Sequence, residues 1–279
     1  MVSILILTYN EAKDLPGCIQ SVEWSDDVHI VDSISSDNTQ AIARAAGAKV
    51  HPRSFTTYSD QRNTALLEIK FSYEWVLILD ADERVPALLA SEIKRFVAGS
   101  PSKHIVAARM RRRDYLSGKW LKHAQLSPFY IRLVRPKEVH YEREINEVLI
   151  PHGEVVDLRE PFDHYPFSKG FTHWIDKHNR YSSMEAKRSL EERVSKVPFS
   201  WKLAMTSGDF NIRRYHQKGL FFRLPCRPLI KFIYILCVRR GICDGRAGMT
   251  YAILQSIYEY FIIIKEREIE SKAQGAPDP

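Results

Sequence analysis

Short apolar runs alternate, over the first hundred residues, with stretches whose apolar positions recur every three or four residues. Residues 2–8, 28–31, 49–51 and 75–79 read as strands, and the run Trp75-Val76-Leu77-Ile78-Leu79 has the length of a buried one. Residues 15–22, with Cys18, Ile19 and Val22 at helical spacing, read as a helix, as do 39–46 and 59–69. Asp37 stands where it can cap the helix from Thr39, and Gly47 where that helix ends. Pro86 opens a fourth helical pattern over 88–97. Strands separated by helices predict βαβ units and a mainly parallel sheet. From His104 onward the pattern turns to strand and loop, with strands over 105–110 and 129–134. Residues 171–196 form a polar amphipathic helix, and the tail from about 200 to 264 is basic and aromatic, fraying after Ser271. The expected fold class is α/β: a Rossmann-like sheet flanked by helices, followed by a helical C-terminal extension.

Composition narrows this picture. The 279 residues, 44% hydrophobic and 11% aromatic, describe a globular chain large enough for one α/β domain with an appendage. The net charge of +7 is unevenly spread, since residues 1–100 carry nine Lys/Arg against 14 Asp/Glu. The second part, strongly basic, is therefore the half expected to face something anionic. Cys18, Cys226, Cys237 and Cys243 show no C-x-x-C spacing, and they read as reduced, buried thiols of a cytosolic protein. Met1 runs straight into a strand with no basic leader or cleavage site. No run reaches about 18 uninterrupted apolar residues, so the chain is not expected to be integral to a membrane.

Candidate chemistry collects at strand ends. Thr8-Tyr9-Asn10-Glu11 follows the first strand, Asp32-Ser33 through Asp37-Asn38-Thr39 the second, and Asp80-Ala81-Asp82 the fourth. In a parallel sheet these ends share one edge, where open α/β sheets bind ligands. Asp80 and Asp82, two residues apart, repel each other, and a divalent cation between them relieves that repulsion; solvated loop carboxylates are the bland alternative. Asp32 can accept hydrogen bonds from a ribose or a base edge. No G-x-G-x-x-G and no G-x-x-x-x-G-K-[ST] occurs, which removes the dinucleotide fingerprint and the P-loop. A nucleotide pyrophosphate would then be neutralised by a metal at Asp80/Asp82 and by basic side chains.

These three segments, Ile4 to Glu11, Val31 to Thr39 and Leu79 to Glu83, together resemble family-2 inverting glycosyltransferases of the GT-A fold, and most nearly the branch of lipopolysaccharide-core β-glucosyltransferases. The resemblance covers most of the chain, strongly to about residue 165. It implies a GT-A catalytic domain over 1–165, with a nucleotide-sugar half to about 100 and an acceptor half beyond, and a helical region over 166–270. It implies that Thr8, Tyr9, Asn10, Glu11, Asp32 and Ser33 hold the donor nucleotide, that Gln61, Arg62 and Asn63 lie under nucleotide and diphosphate, and that Asp80, Ala81 and Asp82 form the D-x-D segment. Mg²⁺ or Mn²⁺ would be held there, with Asp82 the direct ligand and His164 a further metal or diphosphate contact. The base that deprotonates the acceptor falls among Glu142, Glu144 and Glu147, and Glu147 is chosen because relatives carry His-Glu where this chain has Asn146-Glu147. At Asn146 the chain departs from that pattern, which puts the role of the neighbouring His in doubt. Trp120, Lys122 and His123 would floor the acceptor site, with Arg132 and Arg135 meeting acceptor phosphates. His173 and His178, five apart, do not share a helix face and are not read as a metal pair.

Residues 200–246 carry ten Lys/Arg and two Asp/Glu among aromatic and aliphatic residues. This composition suits a helix in a membrane interface, an RNA surface, or simple packing with outward-snorkelling cations. A lipid-linked acceptor favours the first, with residues 200–264 on anionic lipid and no nucleic acid expected. The expected protein is thus a transferase of a UDP-hexose to a glycolipid or saccharide acceptor in cell-envelope or lipopolysaccharide synthesis. It would be cytoplasmic and peripheral on the inner face of the membrane. Competing readings are a sugar-1-phosphate nucleotidyltransferase, disfavoured because the loop after the first strand is neither Gly-rich nor basic, and a non-catalytic binding protein on the same scaffold.

Overall fold

A computed structural model of the chain describes residues 1–142, 147–194, 200–208 and 226–273, together with 213, 216, 217, 219, 221 and 224. The described chain divides into two compact units, residues 1–115 with 127–168, and residues 116–126 with 169–279. That 116–126 belongs with the helical unit is a feature the linear pattern did not signal.

The first unit begins as the sequence pattern predicts. β1 (Ser3–Thr8), α1 (Leu15–Ser21), β2 (Val28–Asp32), α2 (Thr39–Ala45), β3 (Lys49–Pro52), α3 (Tyr58–Glu68) and β4 (Val76–Asp80) follow in order. β1 pairs in parallel with both β2 and β4, and β2 with β3. β4 is followed by β5 (Glu83–Arg84), α4 (Ala87–Ala98) and β6 (Ile105–Leu116). β6 is twice as long as its apolar run because Arg109, Arg111 and Arg113 alternate with Ala108, Met110 and Arg112 along it, and alternation masks a strand as a polar segment. After β7 (Lys119–Trp120), β8 (Phe129–Val134) lies antiparallel between β4 and β6 and turns the sheet from parallel to mixed. The remaining strands, β9 (Val139–Glu142), β10 (Val148–Pro151), β11 (Glu154–Asp157) and β12 (Phe162–His164), are each three or four residues long, too short to announce themselves by period. β12 runs beside β6 and antiparallel to β5, so His164 faces Glu83 in register. The main strand order is β3-β2-β1-β4-β8-β6-β12-β5.

Two apolar layers hold this sheet. On one face Ile4, Ile6, Leu77 and Leu79 pack with Leu15, Cys18, Leu89 and Ile93 of α1 and α4. On the other, Leu5, Val76 and Ile78 pack with Ala65 and Leu66 of α3. β1 and β4 are thus buried on both faces, which is why they read as uninterrupted apolar runs. Each such aliphatic side chain stabilises by about 1.5–3 kcal/mol relative to an exposed one. Cys18 is buried as expected, but Cys226, Cys237 and Cys243 are exposed, a correction to the buried reading.

The second unit is helical: α5 (Gly170–Val194), α6 (Trp201–Thr206), α7 (Arg227–Ile233) and α8 (Gly245–Ala273). α7 and α8 form an antiparallel pair, since Ser256 Oγ donates to the Pro228 carbonyl at 2.7 Å and Arg227 reaches Glu266 at 2.9 Å. At their junction a Cβ on Gly248 would lie 1.9 Å from the Gly241 carbonyl oxygen, so only glycine permits the approach. Among the described residues one helical stretch, Gly241–Ala273, is long and apolar enough to cross a membrane by length and composition, which the charge-interrupted sequence did not suggest.

Candidate active site

The first two strand-end loops are tied to one another. Thr8 ends β1 beside Asp32 at the end of β2, and Thr8 Oγ1 donates to Asp32 Oδ1 at 2.8 Å. Ser35 gives Asp32 two more hydrogen bonds, from N–H at 2.8 Å and Oγ at 2.6 Å, and Gln40 Nε2 a fourth at 2.7 Å. A carboxylate has about four acceptor positions, and Asp32 is wholly buried. In this structure the Asp32 oxygens hold the two loops together. Asn10, at φ 53°, takes a Ser36 N–H on Oδ1 at 2.8 Å, while Glu11 N–H donates to Thr39 Oγ1 at 2.8 Å. Asp37 Oδ1 receives the Thr39 N–H at 3.0 Å, one residue before the Asn38 cap position. Ser33 Oγ accepts from Gln61 Nε2 at 2.7 Å, which joins α3 to the same loops. Tyr9 remains outward, 61% exposed, as an aromatic rim.

The acidic pair at the end of β4 is asymmetric. Asp80 Oδ1 lies 2.8 Å from Arg62 Nη2, and Oδ2 lies 3.0 Å from Arg132 Nη2. Burial alone would raise the Asp80 pKa, but these two guanidiniums outweigh it and hold the carboxyl below its usual range. Glu83, buried, accepts the Asp80 N–H at 3.0 Å and pairs with Arg132. Burial pushes Glu83 upward even against Arg132. Arg132 also stacks on the Phe162 ring at 5.5 Å. Arg132, expected to meet acceptor phosphates, lies within the acidic turn, paired with Asp80 and Glu83. Arg84 braces that turn from beneath, donating to the carbonyls of Ala81, Glu83 and Asp14 at 2.8 Å each. A Cβ on Gly17 would come within 2.6 Å of this guanidinium.

Asp82 stands apart. Its main-chain carbonyl accepts Tyr165 N–H at 2.9 Å, while its side chain, 25% exposed, has Oδ2 at 3.3 Å from His164 Nε2. On the other side of the ring, His164 Nδ1–H donates to Asp114 Oδ1 at 2.5 Å. Burial would lower the His164 pKa, but Asp82 and Asp114 overturn it and raise the ring to about 9. Carboxylate, imidazole and a second ligand in line form the usual outer support of a metal-binding His. An oxygen and a nitrogen 3.3 Å apart also match the separation of two ligands on one hard divalent cation, each at about 2.1 Å. The donor set fits Mg²⁺ or Mn²⁺ through Asp82 and His164. It fits less well through Asp80, whose two oxygens are already paired. Among the described residues no group of three or more His, Cys, Asp or Glu side chains forms a complete cage. Asp114, 1% exposed at its side chain, was absent from the sequence reading. Its signal was the polar residue at the end of an Arg-rich alternating strand.

Glu147 reaches this cluster through Arg62. Arg62 Nη1 pairs with Glu147 while Nη2 holds Asp80, so a single buried guanidinium joins the two carboxylates. Burial opposes its charge, but Asp80, Tyr141 and Glu147 together raise its pKa. Asn63 fixes the same strand: its Nδ2 donates to the Tyr141 carbonyl at 2.8 Å and its Oδ1 accepts the Tyr141 N–H at 2.7 Å, as a neighbouring strand would. Gln61, Arg62 and Asn63 therefore organise loop, acid and strand in turn. Glu142 is exposed and meets the His140 ring at 3.0 Å instead. Glu144 and Asn146 lie outside the described residues.

One expected acceptor residue is not gathered here. Arg135 stacks on Trp75 at 4.7 Å, pairs with Glu74 and donates to the Ile105 carbonyl at 3.0 Å. That is the opposite end of β4 from Asp80, so the acceptor-phosphate reading of Arg135 is corrected. Trp120 belongs to the second unit, with Lys122 Nζ 5.7 Å from its ring centroid.

Parallel strands that present carboxylates at their C-terminal ends, continued by antiparallel strands that bring in one more, are the plan of a GT-A glycosyltransferase. The model of Glycosyl transferase family 2 matches residues 3–153, and the chain belongs to that family. The lipopolysaccharide core biosynthesis glycosyltransferase LpsC of Rhizobium meliloti is 27% identical over 93% of this chain and 92% of its own length. An uncharacterized glycosyltransferase of Rickettsia bellii is 34% identical over 99% of this chain and 89% of its own. Among solved structures, the mannosyltransferase PcManGT from Pyrobaculum calidifontis, in complex with GDP-Man and Mn²⁺, aligns over 95% of this chain and 86% of its own. That alignment has a TM-score of 0.52 at 13% identity, a likeness of fold.

Proposed function

We propose that this glycosyltransferase moves a hexose from a nucleotide-diphosphate donor, a UDP-hexose first, to a glycolipid or saccharide acceptor of the cell envelope with inversion at the anomeric carbon. The work would be done on the cytoplasmic face of an anionic membrane. The length-spanning similarity to a lipopolysaccharide-core enzyme supports the acceptor class. The observation that carries the reading is the Arg62 bridge, which keeps Glu147 within one side chain of Asp80. An inverting transfer requires one carboxylate to take the acceptor proton while a separate group stabilises the departing diphosphate. Asp82 and His164, backed by Asp114, would hold Mg²⁺ or Mn²⁺, whose chemistry is to neutralise that diphosphate. Glu147 accepts the proton from the attacking hydroxyl. Arg62, released from Glu147 when donor enters, can follow the negative charge toward the diphosphate. Tyr9 is free to cover the base, and Asp32 keeps the loop beneath it rigid.

The test is a panel of UDP- and GDP-sugars, each with Mn²⁺ or Mg²⁺, read by thermal shift, donor hydrolysis and the anomeric configuration of the product. Glu147→Gln should lower transfer about 10²–10⁴-fold while donor binding persists. Retention of configuration, or no response to any nucleotide sugar, would overturn the proposal.

A further inference from the structure

The second unit leaves apolar surface that nothing in its own fold covers. Along α8, Met249, Ile253, Ile257, Tyr260 and Ile264 are all exposed. Their spacing of four, four, three and four places them on one face of the helix, over about 22 Å. The opposite face is occupied: Ala247, Gly248, Ala252, Leu254 and Ile262 are buried, and Glu259 and Glu266 are drawn onto Arg227 of α7. Between Arg246 and Lys265 the sequence holds one charge, Glu259, and it lies on that inner face. Exposed Arg246 and Arg267 bracket the stripe, and neither meets a carboxylate within the described residues. At the near end, exposed Val238 and Ile242 flank exposed Arg240.

An apolar strip bounded by cations matches the profile of a lipid monolayer, where acyl chains lie under a layer of phosphates. A partner protein would need carboxylates at both ends and a matching groove. The lipid supplies both by its nature. Crossing the bilayer is opposed by the inner face, where Arg227, Glu259 and Glu266 lock α7 to α8 as a buried ion cluster. Asp244 Oδ2 also accepts the N–H groups of His123 at 2.9 Å and Ala124 at 2.7 Å, which binds the start of α8 along the unit.

We propose that α8 lies in the plane of an anionic membrane, with Met249, Ile253, Ile257, Tyr260 and Ile264 inserted below the phosphates and Arg246, Arg267 and Arg240 among them. This rests on the glycolipid reading of the acceptor and gives its membrane contact a definite face and mode. The full chain is tested by co-sedimentation with vesicles of phosphatidylcholine alone or with phosphatidylglycerol, at low and high salt. Binding should require phosphatidylglycerol and survive in part at high salt, since inserted apolar groups are not screened. Ile253→Glu with Ile257→Glu should reduce it at least tenfold while leaving UDP-sugar hydrolysis unchanged. Because that double variant could misfold, Ile257→Trp gives a second readout: its fluorescence should shift to the blue and be quenched by brominated acyl chains. An unquenched Ile257→Trp, vesicle binding equal in the double variant, or a stripe-dependent dimer in sedimentation without vesicle binding would each overturn the proposal. Donor hydrolysis is measured separately, so a failed membrane contact is distinguished from a failed glycosyltransferase.

Discussion

The two ends of β4 carry clusters of similar composition and opposite consequence. At the N-terminal end Asp27, 1% exposed, accepts from Ser3 Oγ at 2.6 Å, Lys49 Nζ at 2.7 Å and Ser72 N–H at 2.8 Å. His29 adds a contact at 3.0 Å and stacks on His51. At the C-terminal end Asp80 meets the guanidiniums of Arg62 and Arg132, Glu147 pairs with Arg62 and Asp82 lies against His164, and all three side chains keep between a fifth and two fifths of their surface exposed. Both ends gather acids and bases. What separates the two ends is exposure: Asp27 is closed off from solvent, and the carboxylates at the C-terminal end are not. Asp27 serves the architecture.

That contrast can be broken at several points. The largest effect is expected at Arg132→Met, which leaves Glu83 and one oxygen of Asp80 without their cation inside the protein. Removing one partner of a buried pair costs about 3–5 kcal/mol, measurable by urea denaturation, and transfer activity should fall with it because the acidic turn loosens. Asp27→Asn should cost about 2–3 kcal/mol in the same assay while activity per folded molecule stays at the wild-type level.

The Asp27 prediction has a pH dependence. Burial alone would raise its pKa, but Lys49, Ser3, Ser72 and His29 outweigh it and hold the carboxyl well below its usual range. A depressed folded-state pKa contributes stability above the unfolded value of about 3.9 and loses it as pH falls toward the folded one. The difference between wild type and Asp27→Asn should therefore be full at pH 6 and shrink below about pH 4. A difference that grows toward acid would contradict the account.

Much of this was legible in the sequence, and the reasons are physical. β1 and β4 are buried on both faces, so their runs are continuous, and the acids that close β4 stand out against them. Glu147 was singled out through the resemblance alone, and its pairing with Arg62 could not be read from the chain. The short strands β9 to β12 offered too few residues for a period to show. Arg132 and Arg135 looked like surface cations because sequence records charge and not partners; one neutralises Glu83 and Asp80, the other pairs with Glu74. The four donors to Asp32, from residues 8, 35 and 40, were hidden for the same reason. Asp114 was missed because its role exists only when β6 and β12 lie side by side.

Smaller effects sharpen the comparison. Asp114→Asn should leave the fold intact and weaken Mn²⁺ binding about 10–100-fold, the usual consequence of losing the carboxylate behind a metal-facing His; isothermal titration of the metal measures it. Smallest of all, Glu142→Gln should change kcat/KM less than about twofold, as expected for an exposed pair. A large loss there would move the base from Glu147 to Glu142.

The central claim, as proposed above, is that metal and donor are held at Asp82, at the solvent-open end of β4, and not at the buried Asp27. Electron paramagnetic resonance of Mn²⁺ in the presence of UDP tests it most directly, comparing wild type with Asp82→Asn and Asp27→Asn. Wild type and Asp27→Asn should bind Mn²⁺–UDP alike, and Asp82→Asn should lose at least about tenfold in affinity. Equal binding by Asp82→Asn would contradict the account.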